Sequence, residues 1–596
     1  MRKTKIVATL GPTSSDVDTI KKMIQAGMDA ARINFSHGTY ETHSVLIDKL
    51  KEAREELNKP IPLILDTKGP EIRIKTFAQA SVTLQQGATF TLTTEDIVGD
   101  ETRVAVTYLD LPKDLSVGKR VLIDDGLIEL NVTGLTDTDI VCEVINSGTL
   151  SSRKGVNVPD VYVKLPSLTE KDIADIKFGI EKGFDYIAAS FIRSANDVLH
   201  IREILEANGG QDLRVIAKIE SRDGVKNMES ILEVADGIMV ARGDLGVEIP
   251  LAEVPLVQKE LIRKANGCGR PVITATQMLE SMVNNPRPTR AEANDVANAI
   301  FDGSDAIMLS GETAQGKYPV QSIQMMAHIA LTAENSIDYS KTMFTHHREF
   351  RTNITNAISY AACTTASDLG ATCIIAVTER GFTARMISRF RPSCPILAVT
   401  TEESTRRQLN LTWGCVSVLS DSFTEGRTSG GTGASGGKND VFDTAVQKAL
   451  ENGLVKDGDS VVIAAGVPVG VSGTTNTLKV QIVGNVLVKG KGYGEKTVTG
   501  TANVIKVLDN SEKYFALGDI LVTTRTTNEM MPYIKKASAI VVGSWETLDY
   551  SHAETVARAL DKPLIICGAK AVDLIPDRLP ITIDTEKGFV YNGIRN

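Results

Sequence analysis

RVIAKIESRDGVKNMESILEVADGIMVARGD, residues 214–244, holds two apolar runs with a helical pattern between them. RVIAKIE (214–220) and GIMVARGD (237–244) are apolar at nearly every position until they turn polar. Such runs suit strands covered on both faces of a parallel sheet. NMESILEVA (227–235) places Met228, Ile231, Leu232 and Ala235 at i, i+3, i+4 and i+7, the spacing of an amphipathic helix. Parallel strands need a crossover of this kind, so the stretch reads as a β–α–β unit. The unit recurs. KIVATL (5–10), DAARINF (29–35), PIPLILDTK (60–68), DYIAASF (185–191), PVITATQ (271–277) and AIMLSGE (306–312) are the other strand-like runs. DVDTIKKMIQAGM, THSVLIDKLKEAREEL and DVLHIREILEAN are helical patterns among them. Eight strands alternating with helices predict an α/β fold, a (β/α)8 TIM barrel. The same alternation also permits a doubly wound open sheet.

One gap breaks the rhythm. After Lys68 the next barrel helix is predicted only near Ser167, where Ser167-Leu-Thr-Glu170 has capping-box spacing. Between them SVTLQQGATFTLTT, RVAVTYLD, RVLIDDGLIELNVTGL and DIVCEVINSG read as strands, and Asp125-Gly126 as a hairpin turn. Residues 70–166 are therefore read as a β-rich domain inserted in a barrel loop, placed to act as a lid. The barrel spans 1–69 and 167–338. A second α/β domain is expected at 339–488, with the Gly/Ser-rich loop TEGRTSGGTGASGGKND (424–440) inside it, and a small C-terminal domain at 489–596.

The whole chain sets limits. Its 596 residues predict roughly four domains at about 150 residues each. It has 65 basic and 74 acidic residues, net charge −9, which argues against a general nucleic-acid binder. A local basic cleft for a small anion remains compatible with that balance. The seven cysteines form no C-x-x-C pair, which disfavours zinc and a disulfide framework and fits reduced thiols in the cytoplasm. MRKTKIVATLGP is basic but lacks the apolar run of a signal peptide, and no stretch approaches the length of a membrane-spanning helix.

In a barrel of this kind chemistry gathers at the C-terminal strand ends. Those ends supply Arg32, Asn34 and Ser36, then Asp66 and Thr67, then Lys218 and Glu220, Arg242 and Asp244, Thr276, and finally Ser310 and Glu312. Arg73 follows just inside the insertion. The period of two along a strand puts Lys218 and Glu220 on one face. Several carboxylates and several cations in one buried mouth make physical sense with bound ions and an anionic ligand; the structural alternative is a salt-bridge network that closes the barrel top. Glu220 and Asp244 are oxygen ligands suited to Mg2+ or Mn2+. Asn34, Ser36, Asp66 and Thr67 offer hard oxygens with one negative charge, which suits a monovalent cation. Lys218, Arg32 and Arg73 are left to face a transferring phosphoryl group, whose charge spreads over its equatorial oxygens. Gly243, without a side chain, lets backbone N–H groups approach a carboxylate.

ARINFSHG, LDTKGPEIR, AKIES, MVARGDLGVEI, TATQML and MLSGETA, in that order on strand ends, resemble the pyruvate kinase family from Thr4 through Ala314. The resemblance implies a TIM barrel with an inserted β-barrel lid, an α/β effector domain and a homotetramer. It implies phosphoryl transfer from phosphoenolpyruvate to ADP with Mg2+ (or Mn2+) and K+. Glu220 and Asp244 would bind the divalent ion, and Asn34, Ser36, Asp66 and Thr67 the K+. Arg32, Arg73 and Lys218 would hold the phosphoryl group. Arg242, Gly243, Asp244 and Thr276 would meet the substrate, with Thr276 near the carbon that is protonated and Ser310 and Glu312 shaping the proton-donating water network. Asn34, His37, Arg73 and Lys154 would contact the nucleotide. Glu71 implies K+ dependence, because K+-independent members carry a lysine there.

Further along, VTERGFTAR (377–385) and AGVPVGVSGTTN (465–476) resemble the family's site for a phosphorylated metabolite effector, implying Thr378, Arg380, Gly381 and Thr383 as its contacts. Many relatives have small Ser-type residues where this chain has Arg380 and Phe382. GSWETLDYSHAETVARAL (543–560) is similar to the phosphohistidine domain of phosphoenolpyruvate synthases, but of that motif only Ser551-His552-Ala553 survives, so a structural role is expected. Two competing readings remain. A metal-dependent lyase or aldolase of the phosphoenolpyruvate/pyruvate barrels would lack the lid and its Lys154 loop. A catalytically silent effector-binding protein would need a broken cation clamp.

Overall fold

A computed structural model describes residues 1–349, 353–420, 441–467, 475–506, 514–543, 549–568 and 571–594. The Gly/Ser-rich stretch 424–440 lies outside the described residues, as do 468–474 of the second effector loop and 544–548 of the tail motif. The chain divides into two compact units. The first comprises Met1–Cys363, Ala376–Asp421 and Ala465–Asn476; the second comprises Thr364–Ile375, Ser422–Ala464 and Thr477–Asn596.

In the first unit β1 (Lys5–Thr9), β2 (Ala30–Asn34), β3 (Leu63–Asp66), β4 (Tyr186–Ala189), β5 (Arg214–Ile219), β6 (Gly237–Ala241), β7 (Val272–Ala275) and β8 (Ala306–Leu309) close into a barrel in chain order. Each neighbour pair is parallel, and β8 returns to β1. Closure excludes the doubly wound sheet. The strands are buried almost throughout, because alternate residues meet two different cores. Val7, Ile64, Ile216, Met239 and Ile273 fill the barrel interior. Ile6, Ile33, Leu65, Val215 and Val240 face the surrounding helices. Thr9, Arg32, Asn34, Asp66 and Lys218 stand near the C-terminal ends of their strands, and Ser190, Arg242, Thr276 and Ser310 directly past theirs.

The helix that resumes the barrel, Glu170–Glu181, begins later than the Ser167 pattern predicts. Its N-cap is Thr169, reciprocally bonded with Asp172. Ser167 Oγ instead lies 3.0 Å from His200 Nδ1. The shorter aspartate completes the box because both Thr169 N–H and Thr169 Oγ–H donate to its Oδ2, at 2.9 and 2.6 Å.

The insertion forms a six-stranded sheet in the order 156–157, 120–123, 128–135, 139–144, 89–93 and 103–105, beside a two-stranded ladder of 81–84 with 148–151. Phe90, Leu92, Val121, Leu130 and Ile140 are fully buried in its own core. The predicted hairpin turns at Asp124-Asp125-Gly126, all three with positive φ. Arg73 and Ile74 bridge the two edges of the sheet, Arg73 to Gly155 and Ile74 to Val106, so closure runs through the first residues of the insertion.

Also in the first unit, strands Ile396–Thr400 and Cys415–Leu419 pair in parallel, and helix Phe382–Ser388 starts at Gly381 with φ 79°. In the second unit, residues 486–592 build an eight-stranded mixed sheet. Its centre is four parallel strands, 497–505, 520–523, 539–543 and 564–567.

Candidate active site

Lys218, at the end of β5, sits buried among opposite charges. Its Nζ lies 3.1 Å from Asp66 Oδ1, 2.9 Å from Glu220 Oε1 and 2.8 Å from Ser190 Oγ. Burial works against the charge, but the two carboxylates outweigh it and hold the ammonium above its ordinary range. Asp66 is shared. Its Oδ2 accepts from Arg32 Nε at 2.6 Å, and Arg32 NH1 donates to Thr9 Oγ1 at 2.9 Å. Burial opposes the Asp66 charge too, yet Arg32 and Lys218 keep it below its usual value. The second oxygen of Glu220 accepts the Phe191 N–H at 2.6 Å, and Phe191 has φ 55°. A bulky residue in that region is strained, and here the strain aims an amide at a carboxylate.

The sixth to eighth strand ends are tied through backbone. Gly243 N–H donates to Thr276 Oγ1 at 2.9 Å, and Thr276 Oγ–H donates to the Ala275 carbonyl at 2.6 Å. Thr276 has φ 71°, an outlier for a β-branched residue. Arg242 donates to the Thr276 carbonyl at 2.6 Å and to Asp295 at 2.7 Å, so its guanidinium braces the turn that carries Thr276. Glu312, buried, accepts Leu279 N–H at 3.0 Å and Ser310 N–H at 2.7 Å and joins the two strand ends. Burial pushes its carboxyl up. Ser310 Oγ is buried without a protein hydrogen-bond partner.

Between mouth and insertion lies a cleft of about 780 Å3 whose walls include His37, Arg73, Lys154, Glu220 and Asp244. Arg73 donates to Glu71 Oε2 at 2.5 Å and to the Arg153 carbonyl at 2.7 Å. Lys154 Nζ lies 2.9 Å from Asp124 at the hairpin tip. His37 is exposed. Asn34 and Asp66 are register partners on β2 and β3, and Asn34 Oδ1 accepts the Ser36 N–H at 3.0 Å. The Thr67 carbonyl accepts Ser190 Oγ–H at 2.7 Å. Sequence reading found no role for Thr9 and Ser190, the polar residues at the ends of β1 and β4. The only signal was the one used elsewhere, a polar residue closing an apolar run.

The donor chemistry fits the two ions. Burial and the charge of Glu220 push Asp244 up to about 7. Among the described residues no three His, Cys, Asp or Glu side chains form a ready metal cage. A Mg2+ site made of two carboxylates, water and substrate oxygens needs none. Asn34, Ser36, Asp66 and Thr67 bring neutral oxygens and one carboxylate to adjacent loops, the composition for a weakly bound monovalent ion.

Outside the barrel, Thr383 Oγ1 lies 3.0 Å from Thr475 Oγ1, Thr378 is buried and Arg380 is exposed. A Cβ at Gly381 would come within 2.6 Å of the Arg385 guanidinium and 3.0 Å of Leu409. In the tail both ring nitrogens of His552 are engaged, Nδ1 2.9 Å from Thr526 Oγ1 and Nε2 3.1 Å from Asn528 Oδ1.

A closed (β/α)8 barrel whose mouth sets cations against paired carboxylates under a β lid defines a barrel enzyme for small anionic substrates. The model for "Pyruvate kinase, barrel domain" matches residues 1–323, "Pyruvate kinase, alpha/beta domain" matches 356–481, and "PEP-utilising enzyme, mobile domain" matches 515–588. Pyruvate kinase of Bacillus licheniformis is 47% identical over 595 residues, covering 100% of this chain and 99% of that protein. That of Clostridium acetobutylicum is 50% identical over 484 residues, 81% of this chain and 100% of its own length. The crystal structure of a pyruvate kinase from Cryptosporidium parvum superposes with a TM-score of 0.75 at 38% identity, over 81% of this chain and 96% of its own. The chain belongs to the pyruvate kinase family, whose members are phosphotransferases.

Proposed function

We propose that this protein transfers the phosphoryl group of phosphoenolpyruvate to ADP, giving pyruvate and ATP, with Mg2+ (or Mn2+) and K+ bound. The observation that carries the reading is Lys218, a buried and charged ammonium held between Asp66 and Glu220 beside Arg32. An ammonium so fixed cannot serve as a base. It stabilises negative charge on a group in transfer, and it is already oriented when that charge develops. Arg32 and Arg73 neutralise the remaining phosphoryl oxygens. Glu220 and Asp244 hold the divalent ion, which when bound neutralises the substrate's carboxylate and phosphate. Asn34, Ser36, Asp66 and Thr67 hold K+. Gly243 and the Asp244 turn offer backbone to the substrate carboxylate, and Arg242 keeps that turn and Thr276 in place. Thr276 lines the face of the enolate that takes up a proton; the unpartnered Ser310 hydroxyl, held beside Glu312, orders the water that gives it. Asn34, His37, Arg73 and Lys154 receive ADP in the cleft. A coupled assay tests the reading. Pyruvate and ATP in equal amounts are expected, whereas pyruvate with inorganic phosphate and no ATP would mean transfer to water and overturn the kinase reading.

Regulation by a phosphorylated metabolite completes the proposal, with Thr378, Arg380, Gly381 and Thr383 as contacts. The hydroxyl pair of Thr383 and Thr475 and the exposed Arg380 support it. A panel of sugar phosphates and AMP should contain one ligand that raises the melting temperature and lowers the apparent KM for phosphoenolpyruvate; no shift with any member removes this part. The protein is read as a cytoplasmic homotetramer that acts without nucleic acid or membrane. Among the described residues no helix is long and apolar enough to cross a membrane. Sedimentation of a monomer or dimer at working concentration would contradict the tetramer.

A further inference from the structure

The helix Glu170–Glu181 is the first barrel element after the insertion, and its opening turn reaches both loops that carry the proposed monovalent-cation ligands. Lys171 Nζ donates to the carbonyl of Phe35 at 2.9 Å, and Phe35 stands between Asn34 and Ser36. Asp172, fully buried, accepts the N–H of Gly69 at 3.0 Å through Oδ1, two residues beyond Thr67. Gly69 has φ 73°, and a Cβ there would come within 2.8 Å of Ser190 and Phe191, so this segment has little room to move. The two loops are also joined directly, because Phe35 N–H donates to the Asp66 carbonyl at 3.0 Å.

Lys171 is not held by packing. Its side chain is 49% exposed, yet its ammonium is fixed by a second bond of 2.6 Å to Asp175 Oδ2. Asp175 is itself buried and accepts the Tyr40 hydroxyl at 2.7 Å. Beneath the same loop the His43 ring stacks on Phe35 at 4.4 Å. A half-exposed lysine normally keeps its rotamer freedom. Here that freedom is given up for two charge-assisted bonds, one of them to the carbonyl in the middle of the proposed ligand loop.

We propose that Lys171 and Asp172 are positioning residues for the monovalent cation: neighbours on one helical turn, they set the spacing between the Asn34/Ser36 loop and the Asp66/Thr67 loop. The inference rests on the K+ reading above. It also gives the insertion a route to the cation site, since this turn resumes the barrel directly after the insertion ends. Supporting groups of this kind fix ligand geometry, and their loss weakens ion affinity without removing a ligand.

The test uses the full-length protein, Lys171→Met and Lys171→Arg. Two quantities are read: the half-saturating K+ in the activity assay at saturating Mg2+, and equilibrium binding of Tl+, a monovalent ion close to K+ in size, by thallium NMR without turnover. Lys171→Met is expected to raise both the half-saturating K+ and the Tl+ Kd about tenfold, a change of about 1.4 kcal/mol. Half-saturating Mg2+ should stay near wild type, the melting temperature should fall because buried Asp175 loses its ammonium partner, and Lys171→Arg should recover most of the K+ affinity. Should Lys171→Met fail to fold, Lys171→Gln at this half-exposed position gives the same comparison. Unchanged K+ and Tl+ affinities in the variant, or an equal loss for Mg2+, overturn the positioning role while the K+ reading stands. A wild-type protein that neither binds Tl+ nor responds to K+ overturns both.

Discussion

Lys218→Met keeps the side-chain volume and removes only the charge, so the change opens no cavity. Three contacts vanish: Asp66 at 3.1 Å, Glu220 at 2.9 Å and Ser190 at 2.8 Å. In the ground state Asp66 keeps Arg32, and Glu220 keeps the Phe191 amide. Breaking one partner out of a buried pair typically costs about 3–5 kcal/mol, and the two surviving bonds put the expected loss at the low end of that range. In the transition state the loss is of another kind. One preorganised contact to developing charge is worth about 3–4 kcal/mol, and each 1.36 kcal/mol is about tenfold in rate, so kcat should fall by about 10^2–10^3. Divalent-ion binding should survive, because Glu220 and Asp244 remain and the competing ammonium is gone. The measurements are ATP formation in a coupled assay and Mn2+ binding by electron paramagnetic resonance, with a melting curve as the folding control. A folded variant whose kcat stays within tenfold of wild type refutes the role of Lys218. So does a variant that loses Mn2+ and activity together.

Three further outcomes follow from the same geometry. Activity should rise steeply with K+ and not with tetramethylammonium at equal ionic strength, and Glu71→Lys should weaken that dependence; full activity in K+-free buffer contradicts the assignment. Asp244 is raised to about 7 by burial and by Glu220, so below that pH a proton occupies the position a metal needs. Mn2+ affinity in the absence of substrate should therefore climb about tenfold per pH unit up to roughly 7 and then level, while the metal-free form loses stability as pH rises from the ordinary carboxylate range through about 7; affinity flat between pH 5 and 8 counts against Asp244 as a ligand. His552→Ala should leave steady-state kinetics unchanged, because both ring nitrogens serve Thr526 and Asn528 and direct transfer needs no carrier; acid-labile phosphate on the protein that disappears in His552→Ala would make the tail a phosphocarrier.

The barrel was legible because its signal is local. Strands buried on both faces are apolar at nearly every position, and each of the eight runs carries that mark in a few residues. Lys218 and Glu220 were picked out by their place at a strand end and put on one face by the strand period, and they meet at 2.9 Å. Partners that only closure brings together were not legible. Ser190 lies 28 residues from Lys218, and Asp66 lies 152 away. Nothing in either neighbourhood names the other. The cap of helix Glu170–Glu181 misled because two hydroxyls, Ser167 and Thr169, both have a carboxylate three residues on, and only the structure shows Thr169 paired with Asp172 while Ser167 meets His200 of another helix. The engagement of Arg242 and Glu312 with backbone groups was also hidden, because side-chain type gives charge but not direction. For the same reason the seam through Arg73 and Ile74 could not be foreseen: single bridges leave no periodicity.

Rapid-quench single turnover with 32P-labelled phosphoenolpyruvate, ADP, Mg2+ and K+, the enzyme in excess, tests the account most directly. Label should pass from substrate to the terminal phosphate of ATP in one phase, at a rate no slower than kcat, with no labelled protein at any time. Label that appears as inorganic phosphate, or that accumulates on the chain before ATP forms, would contradict direct transfer at the barrel mouth.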